Sequence, residues 1–383
     1  MKIHWFEKKQ LDRVTNYSTE IEPLKLANKM GVPFWYYCTY AKRKETYGLD
    51  NNIKYLGVSS NKIIKYISFR LLVVLKAMQI AFSNNNRIVV NQDLILDVLP
   101  SLFLSRLLNK NNKYIVDIRT TPTIIESFDT DMKALHHKFK FAIKFFDGFS
   151  FITPFMEKTI MEPYSLKKQF KTVNWSSGVN LNVFNAKKVV NTAKDDAPFR
   201  VFYHGGISES RGNLLLIKAC ENLVLKGYKI VLHQVGICVD QSIKDYISNN
   251  NLSDWCILTP PVKLDEVPQL IQDSDLPILP FPNFLAWRVS SPIKLMEYLA
   301  MGKKVLAPDY EAFTDVFDGF EDKVFYFNSK ANNQIAEMEK AIINIVENKL
   351  VADYSQLGQI EFVKNNFTWE KQSKKLIDFC LSI

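Results

Sequence analysis

The sequence predicts an α/β protein built from two similar halves, each a parallel sheet wound with helices. Three observations carry that expectation. Short apolar runs of strand length alternate with longer stretches of helical period, the spacing of βαβ units. The chain has 383 residues, room for two or three domains at the usual ~150 residues apiece. It is 47% apolar and 23% charged, with 13 Gly and 15 Pro, which excludes a disordered chain and a fibrous repeat.

In the first half the strand candidates are Ile3 to Phe6, Phe34 to Thr39, Ile53 to Gly57, Arg87 to Asn91, Lys113 to Ile118 and Gly148 to Ile152, with helical stretches between them. In the second half they are Phe199 to His204, Lys229 to Val235, Trp255 to Leu258, Leu276 to Pro280 and Lys304 to Ala307. Helical periods run from Asn213 to Lys226 and from Lys294 to Met301, where Gly302 supplies a stop. Asn185 to Pro198, weakly apolar and rich in Lys, Asn and Asp, is the linker candidate. The expected domains are therefore residues 1–185 and 186–365. Residues 366–383 form a last helix, capped by Thr368, that crosses back to the first domain.

Five cysteines lie far apart with no C-x-x-C pair, so neither a disulfide framework nor a zinc site is expected. Charges fill the first nine residues where a signal peptide needs an apolar core. Arg70 and Lys76 interrupt the richest apolar stretch, Tyr66 to Phe82, so no membrane-spanning helix is expected and the cytoplasm is the expected location. The net charge of +9 is unevenly placed: residues 1–185 carry an excess of 12 positive charges and residues 186–383 a net of −3. A one-sided basic surface attracts polyanions such as an anionic membrane leaflet or phosphorylated substrates. In Asn61 to Phe82, basic residues flank aromatic and aliphatic ones, a pattern suited to a helix lying in a membrane interface. A buried core at Leu71 to Leu75 with solvated lysines around it fits the same pattern. No nucleic-acid-binding signature is present.

Two segments carry candidate chemistry. In Ser290-Ser291-Pro292-Ile293-Lys294-Leu295-Met296-Glu297, Ser and Pro precede a helix whose first N–H groups and positive dipole end suit a diphosphate. Lys294 in the first turn adds a point charge, and Glu297 follows on the same side, where its carboxylate can accept from a ribose diol. An ordinary amphipathic helix has the same spacing. In Tyr203-His204-Gly205-Gly206-Ile207-Ser208-Glu209-Ser210-Arg211-Gly212, paired glycines after a strand let backbone approach a ligand, and Arg211 can fork onto phosphate oxygens. His204 beside them reads as a core histidine bonded to backbone, and His136-His137 as a surface pair.

These segments, with Asp273-Ser274-Asp275-Leu276-Pro277-Ile278-Leu279-Pro280 between them and Trp175 to Asn185 upstream, resemble glycosyltransferase family 4 and its relatives over roughly residues 173–320. The resemblance implies the B-type (GT-B) fold, two Rossmann-like domains facing a central cleft, with the donor nucleotide sugar held mainly by the second domain and the acceptor facing the first. It implies Glu297 on the ribose, Lys294 and Arg211 on the diphosphate, and backbone contacts from Gly205, Gly206, Ser291, Pro292 and Ile293. Thr259 to Val262 would lie near the base. Asp117, at the end of a first-half strand, occupies the kind of position where relatives place a catalytic Asp or His; pairing with Arg119 or capping the next turn would use it equally well.

The sequence departs from the family pattern twice. Val289 stands where the earlier of two family glutamates would be, and Gly206 where an Arg is usual. Of the two Asp-x-Asp triplets, Asp129-Thr130-Asp131 and Asp273-Ser274-Asp275, neither sits where a metal would be needed; no metal and no cofactor beyond the donor substrate are expected. The implied activity is retaining transfer of a sugar from a nucleoside diphosphate to a glycan, lipid-linked, in surface polysaccharide assembly, by a protein peripheral on the inner face of a membrane. A nucleotide-sugar epimerase and a non-catalytic protein binding glycan or nucleotide are the alternatives on the same fold.

Overall fold

The computed structural model describes residues 1–11, 18–39, 47–59, 61–164, 169–190, 197–317, 321–351 and 356–383. The chain divides into two compact units. The first comprises Met1–Ser177 and Trp369–Ile383, the second Gly178–Thr368.

Unit 1 is one seven-stranded sheet in the order β3-β2-β1-β4-β5-β6-β7, parallel throughout. Its strands are β1 (Lys2–Phe6), β2 (Phe34–Thr39), β3 (Ile53–Leu56), β4 (Asn86–Asn91), β5 (Lys113–Ile118), β6 (Gly148–Phe151) and β7 (Thr172–Asn174). Its helices are α1 (Ser18–Lys29), α2 (Lys62–Ala81), α3 (Ile95–Leu107), α4 (Phe128–Phe145), α5 (Pro154–Met161) and, from the end of the chain, α14 (Trp369–Ser382). The inner strands β1, β4, β5 and β6 are buried over most of their length because a parallel sheet is covered on both faces. Local chemistry sets helix starts: Asn61 accepts from the N–H groups of Ile63 and Ile64 to open α2, and Thr153 accepts from Met156 N–H ahead of Pro154 at the first turn of α5.

Trp5, Tyr36 and Trp175 meet edge to face at the centre of the core under α1 and α14, with centroids 5.3 and 5.9 Å from Trp5. The Arg87 guanidinium donates to the Cys380 and Ile383 carbonyl oxygens at 2.9 and 3.0 Å and so satisfies the orphan acceptors at the end of α14.

Unit 2 holds the parallel sheet β10-β9-β8-β11, made of β8 (Phe199–His204), β9 (Ile230–Val235), β10 (Cys256–Thr259) and β11 (Leu276–Pro277). A parallel pair, β12 (Val305–Pro308) and β13 (Val324–Phe327), continues it through a bridge between Ile278 and Leu306. The helices are α6 (Asn213–Leu225), α7 (Gln241–Asn249), α8 (Val267–Gln272), α9 (Leu285–Arg288), α10 (Ile293–Ala300), α11 (Glu311–Thr314), α12 (Gln334–Glu347) and α13 (Gln356–Asn366). Leu216, Ile217, Cys220 and Leu223 of α6 and Met338, Ile342 and Ile345 of α12 share one core with β8, β9 and β10.

The structure corrects three expectations. The units divide at 177/178, not at 185/186, because Val179 pairs with Thr368 and donates to the Phe367 carbonyl, tying residues 178–185 to unit 2. The return to unit 1 falls at Trp369 rather than at residue 366. Of the expected linker, residues 191–196 lie outside the described residues. Leu71 and Leu75 are not core: they are 57% and 56% exposed and continue an outward stripe from Ile63 and Ile67, whereas Phe69, Val73 and Ala77 turn inward. Among the described residues no helix is long and apolar enough to cross a membrane.

Candidate functional site

In unit 2 the chain leaves β8 at His204 and turns through Gly205, whose φ of +115° is a conformation open to glycine. A Cβ there would lie 2.4 Å from Lys294 Cε, so the glycine makes room for the lysine to lie across the turn, with Nζ 5.5 Å from the Tyr203 ring centroid. The neighbouring turn after β9 fits as closely: a Cβ on Gly236 would fall 1.9 Å from the Gly205 carbonyl oxygen. Arg211 Nε sits 3.5 Å from where a Gly206 Cβ would be, and its guanidinium lies 5.3 Å from the centre of the Trp287 ring. Trp287 is itself fixed by stacking on Phe281 and by donating Nε1–H to the Ser210 carbonyl at 2.8 Å. The Tyr203 hydroxyl donates to the Gly206 carbonyl at 2.9 Å.

Two cations therefore meet over a glycine turn. Burial, followed by repulsion from Arg211, pushes the Lys294 ammonium down to about 7, and Glu297 offsets only part of that. A buried ammonium that also feels a second cation costs stability in the free protein, and an anion bound by both would offset that cost. Glu297, buried one turn further along α10, faces His204, with Oε2 and Nε2 3.2 Å apart in an approach too poorly aligned for a hydrogen bond. His204 is thus beside the glutamate instead of bonded to backbone through its ring; only its N–H is tied, donating to the Tyr298 hydroxyl at 3.1 Å. Ser291 is buried, and Pro292 caps α10 ahead of Ile293, its first residue.

Thr259 and, after it, Val262 sit beyond β9, and Thr259 is joined to the glycine turn through Gly236. Thr259 ends β10, two strands from β8; its Oγ1 lies 2.8 Å from His233 Nε2 and its carbonyl accepts from Gly236 N–H. Val262 follows in the loop, half-buried. Val289 is fully buried, so an apolar contact occupies the place where the family pattern has a carboxylate. Both Asp-x-Asp triplets have local partners. Asp131 accepts from Ser127, and Asp273 from Gln269, while Asp275 accepts from Arg200 N–H. His136 is half-buried against the Tyr164 hydroxyl rather than a plain surface residue.

In unit 1, Asp117 is completely buried at the carboxyl end of β5. Its Oδ1 accepts from Ser150 and from Trp175 Nε1–H, and Oδ2 has no hydrogen-bond partner. Arg119 stacks on Trp175 at 3.7 Å and donates to that residue's carbonyl; it does not pair with Asp117. A carboxyl so enclosed is out of a substrate's reach in this conformation.

The sequence reading missed Glu7, which directly follows β1 at the same carboxyl edge. Its Oε2 accepts from Asn91 Nδ2 at 3.1 Å. Burial, then repulsion from Glu20 and Asp117, raises its carboxyl to about 8. The signal available was positional: a carboxylate directly after the strand candidate Ile3 to Phe6. The carboxyl ends of parallel strands are where α/β sheets take ligands.

Comparison with known proteins agrees with this architecture. Residues 198–348 match the model of a family described as glycosyl transferases group 1. An uncharacterized glycosyltransferase of Methanocaldococcus jannaschii is 26% identical over 174 residues. That match covers 43% of this chain and 42% of the relative, so the chain spans less than half the length of that curated protein. Among solved structures, a glycosyltransferase from Rickettsia africae has a TM-score of 0.70 at 16% identity, covering 100% of this chain and 98% of the other. Anabaena HepE in complex with UDP and glucose gives 0.73 at 12% identity with 100% of each chain covered. The lipopolysaccharide outer core galactosyltransferase WaaB gives 0.71 at 14%, covering 100% and 99%. The fold is the two-domain, Rossmann-like B type of these solved structures, and residues 198–348 of unit 2 are similar to the glycosyl transferases group 1 family.

Proposed function

We propose that the chain is a hexosyltransferase that takes a sugar from a nucleoside diphosphate held by unit 2 and passes it to a hydroxyl of a lipid-linked glycan in surface polysaccharide assembly. The observation that carries this reading is the convergence of Lys294 and Arg211 on the Gly205–Gly206 turn, with Glu297 one helical turn on. A diphosphate accepts from both cations while a ribose diol donates to the carboxylate. In the transfer the bond from anomeric carbon to phosphate oxygen breaks and the bond from acceptor oxygen to that carbon forms. The acceptor proton passes to the departing nucleoside diphosphate, on the same face, so the anomeric configuration is retained. The two cations stabilise the charge that grows on the leaving diphosphate. UDP and glucose in HepE and the outer-core acceptor of WaaB are consistent with such a donor and such a product.

The exposed stripe Ile63, Ile67, Leu71 and Leu75 on α2, beside Lys62 and Lys65, supports attachment of unit 1 to an anionic membrane surface. Flotation with anionic liposomes tests it: binding lost at high salt supports it, and no binding at low salt removes it.

The donor site is tested by thermal stabilisation and slow hydrolysis across a panel of nucleotide sugars. Stabilisation by at least one, abolished in Lys294→Met, supports the reading; if none stabilises the protein and none is hydrolysed, it fails. A second reading, binding without transfer, is favoured by the buried Val289. Stabilisation by a nucleotide sugar with no turnover on any glycan acceptor would select it.

A further inference from the structure

The face of β1, β2 and β3 that turns away from the Trp5 core is unusual for a buried parallel sheet. Strand alternation puts His4, Trp35, Tyr37 and Lys54 on that one face, where continuous aliphatic packing is the rule. A cavity of about 530 Å³ opens there, lined by these four residues with Lys2 and with Lys76 from α2. That is the size range of small-ligand sites, ~300–1,000 Å³. It lies along the face of the sheet, and Glu7 at the carboxyl edge is not among its lining residues.

The lining has two kinds of surface. The aromatic part is rigid: His4 stacks on Trp35 at 5.0 Å and 14°, its ring nitrogens lie 3.1 Å from the Tyr37 hydroxyl and 3.3 Å from Asn86 Oδ1, and Tyr37 stacks on Phe6. Burial holds His4 down to about 4, so its ring is neutral at physiological pH. The charged part is three lysines. Lys76 Nζ is steadied by Gln79 Oε1 at 2.8 Å and lies 5.9 Å from the Tyr37 ring centre. Among the described residues none of the three ammonium groups meets a carboxylate.

Flat aromatic walls suit the C–H faces of a sugar ring, Gln79 and Ser83 offer hydroxyl partners, and the lysines call for a negative charge. The kind of negative charge is also restricted. The helix end at the cavity is the carboxyl end of α2, whose partial charge is negative, and no guanidinium lines the space. The helix end disfavours a doubly charged phosphate about twice as strongly as a single carboxylate, which is therefore the better match. We propose that this cavity binds an acidic saccharide, a glycan unit bearing a carboxylate, with residues other than those of the donor turn. A growing chain held there would stay with the enzyme between transfers. The saccharide half of this inference rests on the sugar-transfer reading.

The test is calorimetric titration of the full chain with tri-galacturonate, maltotriose, glucose 6-phosphate and UDP. Tri-galacturonate is expected to bind, more weakly as salt rises, and to leave UDP binding unchanged. The neutral trisaccharide should bind at least about tenfold more weakly, and Lys54→Glu, an exposed position, should weaken tri-galacturonate by about tenfold with no change in melting temperature. Trp35→Ala should abolish it. The inference is overturned if maltotriose or glucose 6-phosphate binds as tightly as tri-galacturonate, if UDP competes with it, or if Lys54→Glu and Lys76→Glu leave its affinity untouched. Loss of UDP binding in the unmodified chain would instead strike the donor reading.

Discussion

The glycine turn of unit 2 and the carboxyl edge of the unit 1 sheet pose the same electrostatic problem with opposite signs. At the turn, burial first and repulsion from Arg211 second drive Lys294 down to about 7. At the edge, Glu7, Glu20 and Asp117 share a buried neighbourhood, and all three carboxyls are raised, Glu7 to about 8, burial being the leading cause each time. The edge contains its own countercharges. Lys9 reaches Glu20 at 2.6 Å, and Arg119 is close enough to favour the ionised forms of Asp117 and Glu20. At the turn the carboxylate that favours the charged lysine is Glu297, which is itself against His204. A cluster that balances itself is consistent with architecture, and one that does not is consistent with a site awaiting charge from a ligand.

Replacing Lys294 by Met breaks this contrast most directly. Turnover should fall by roughly 100-fold to 1,000-fold, the scale of losing one preorganised donor to a developing anion. The ligand-free protein should melt about 2–4 °C higher, since the buried ammonium and, with it, its repulsion from Arg211 are gone. Differential scanning calorimetry with and without UDP reads both the gain and the loss of ligand stabilisation. A lower melting temperature would mean that the lysine is a structural cation.

The next effect is in pH. Donor binding requires the protonated lysine, so affinity should fall by up to about tenfold per unit as pH rises above about 7, with proton uptake on binding at pH 8. Titration calorimetry in two buffers of different ionisation heat counts those protons, and no uptake would remove Lys294 from the anion. Glu297→Gln should weaken a nucleotide sugar by about tenfold while sparing inorganic diphosphate, the loss of one charged hydrogen-bond acceptor.

The smallest effect sharpens the other side of the comparison. Glu7 has a folded-state value near 8, above that of the unfolded chain, so its contribution to stability is complete in mild acid and declines as pH rises through about 8. Glu7→Gln should flatten that decline and raise the melting temperature at pH 8.5 by about 2–4 °C, with little change at pH 5.

The two regions also differ in how much of them the sequence discloses. The strands of unit 1 were legible because burial on both faces writes them as unbroken apolar runs; β2 and β5 begin and end where the pattern predicts. β7 escaped because three half-buried residues, Thr172–Asn174, carry no such run, and β13 because it follows a short helical turn at Glu321–Lys323 that blurs its start. Lys294 and Glu297 could be read together because helical spacing is local. Their neighbours could not: Gly236 packs on Gly205 from 31 positions away, Trp287 reaches Arg211 from α9, 76 positions on, and His204 meets Glu297 only after the fold has closed. Asp117 was legible as a strand-end acid, but its enclosure by Ser150 and Trp175 depends on three separate strands of backbone converging.

The pairing of Val179 with Thr368 makes unit 2 an insertion in unit 1, entered and left at adjacent points. A segment whose two ends touch already forms a closed loop and can be lifted out without leaving stretched ends. Residues 178–368 expressed by themselves should therefore fold and still capture UDP, which would let nucleotide recognition be measured free of everything contributed by the host sheet.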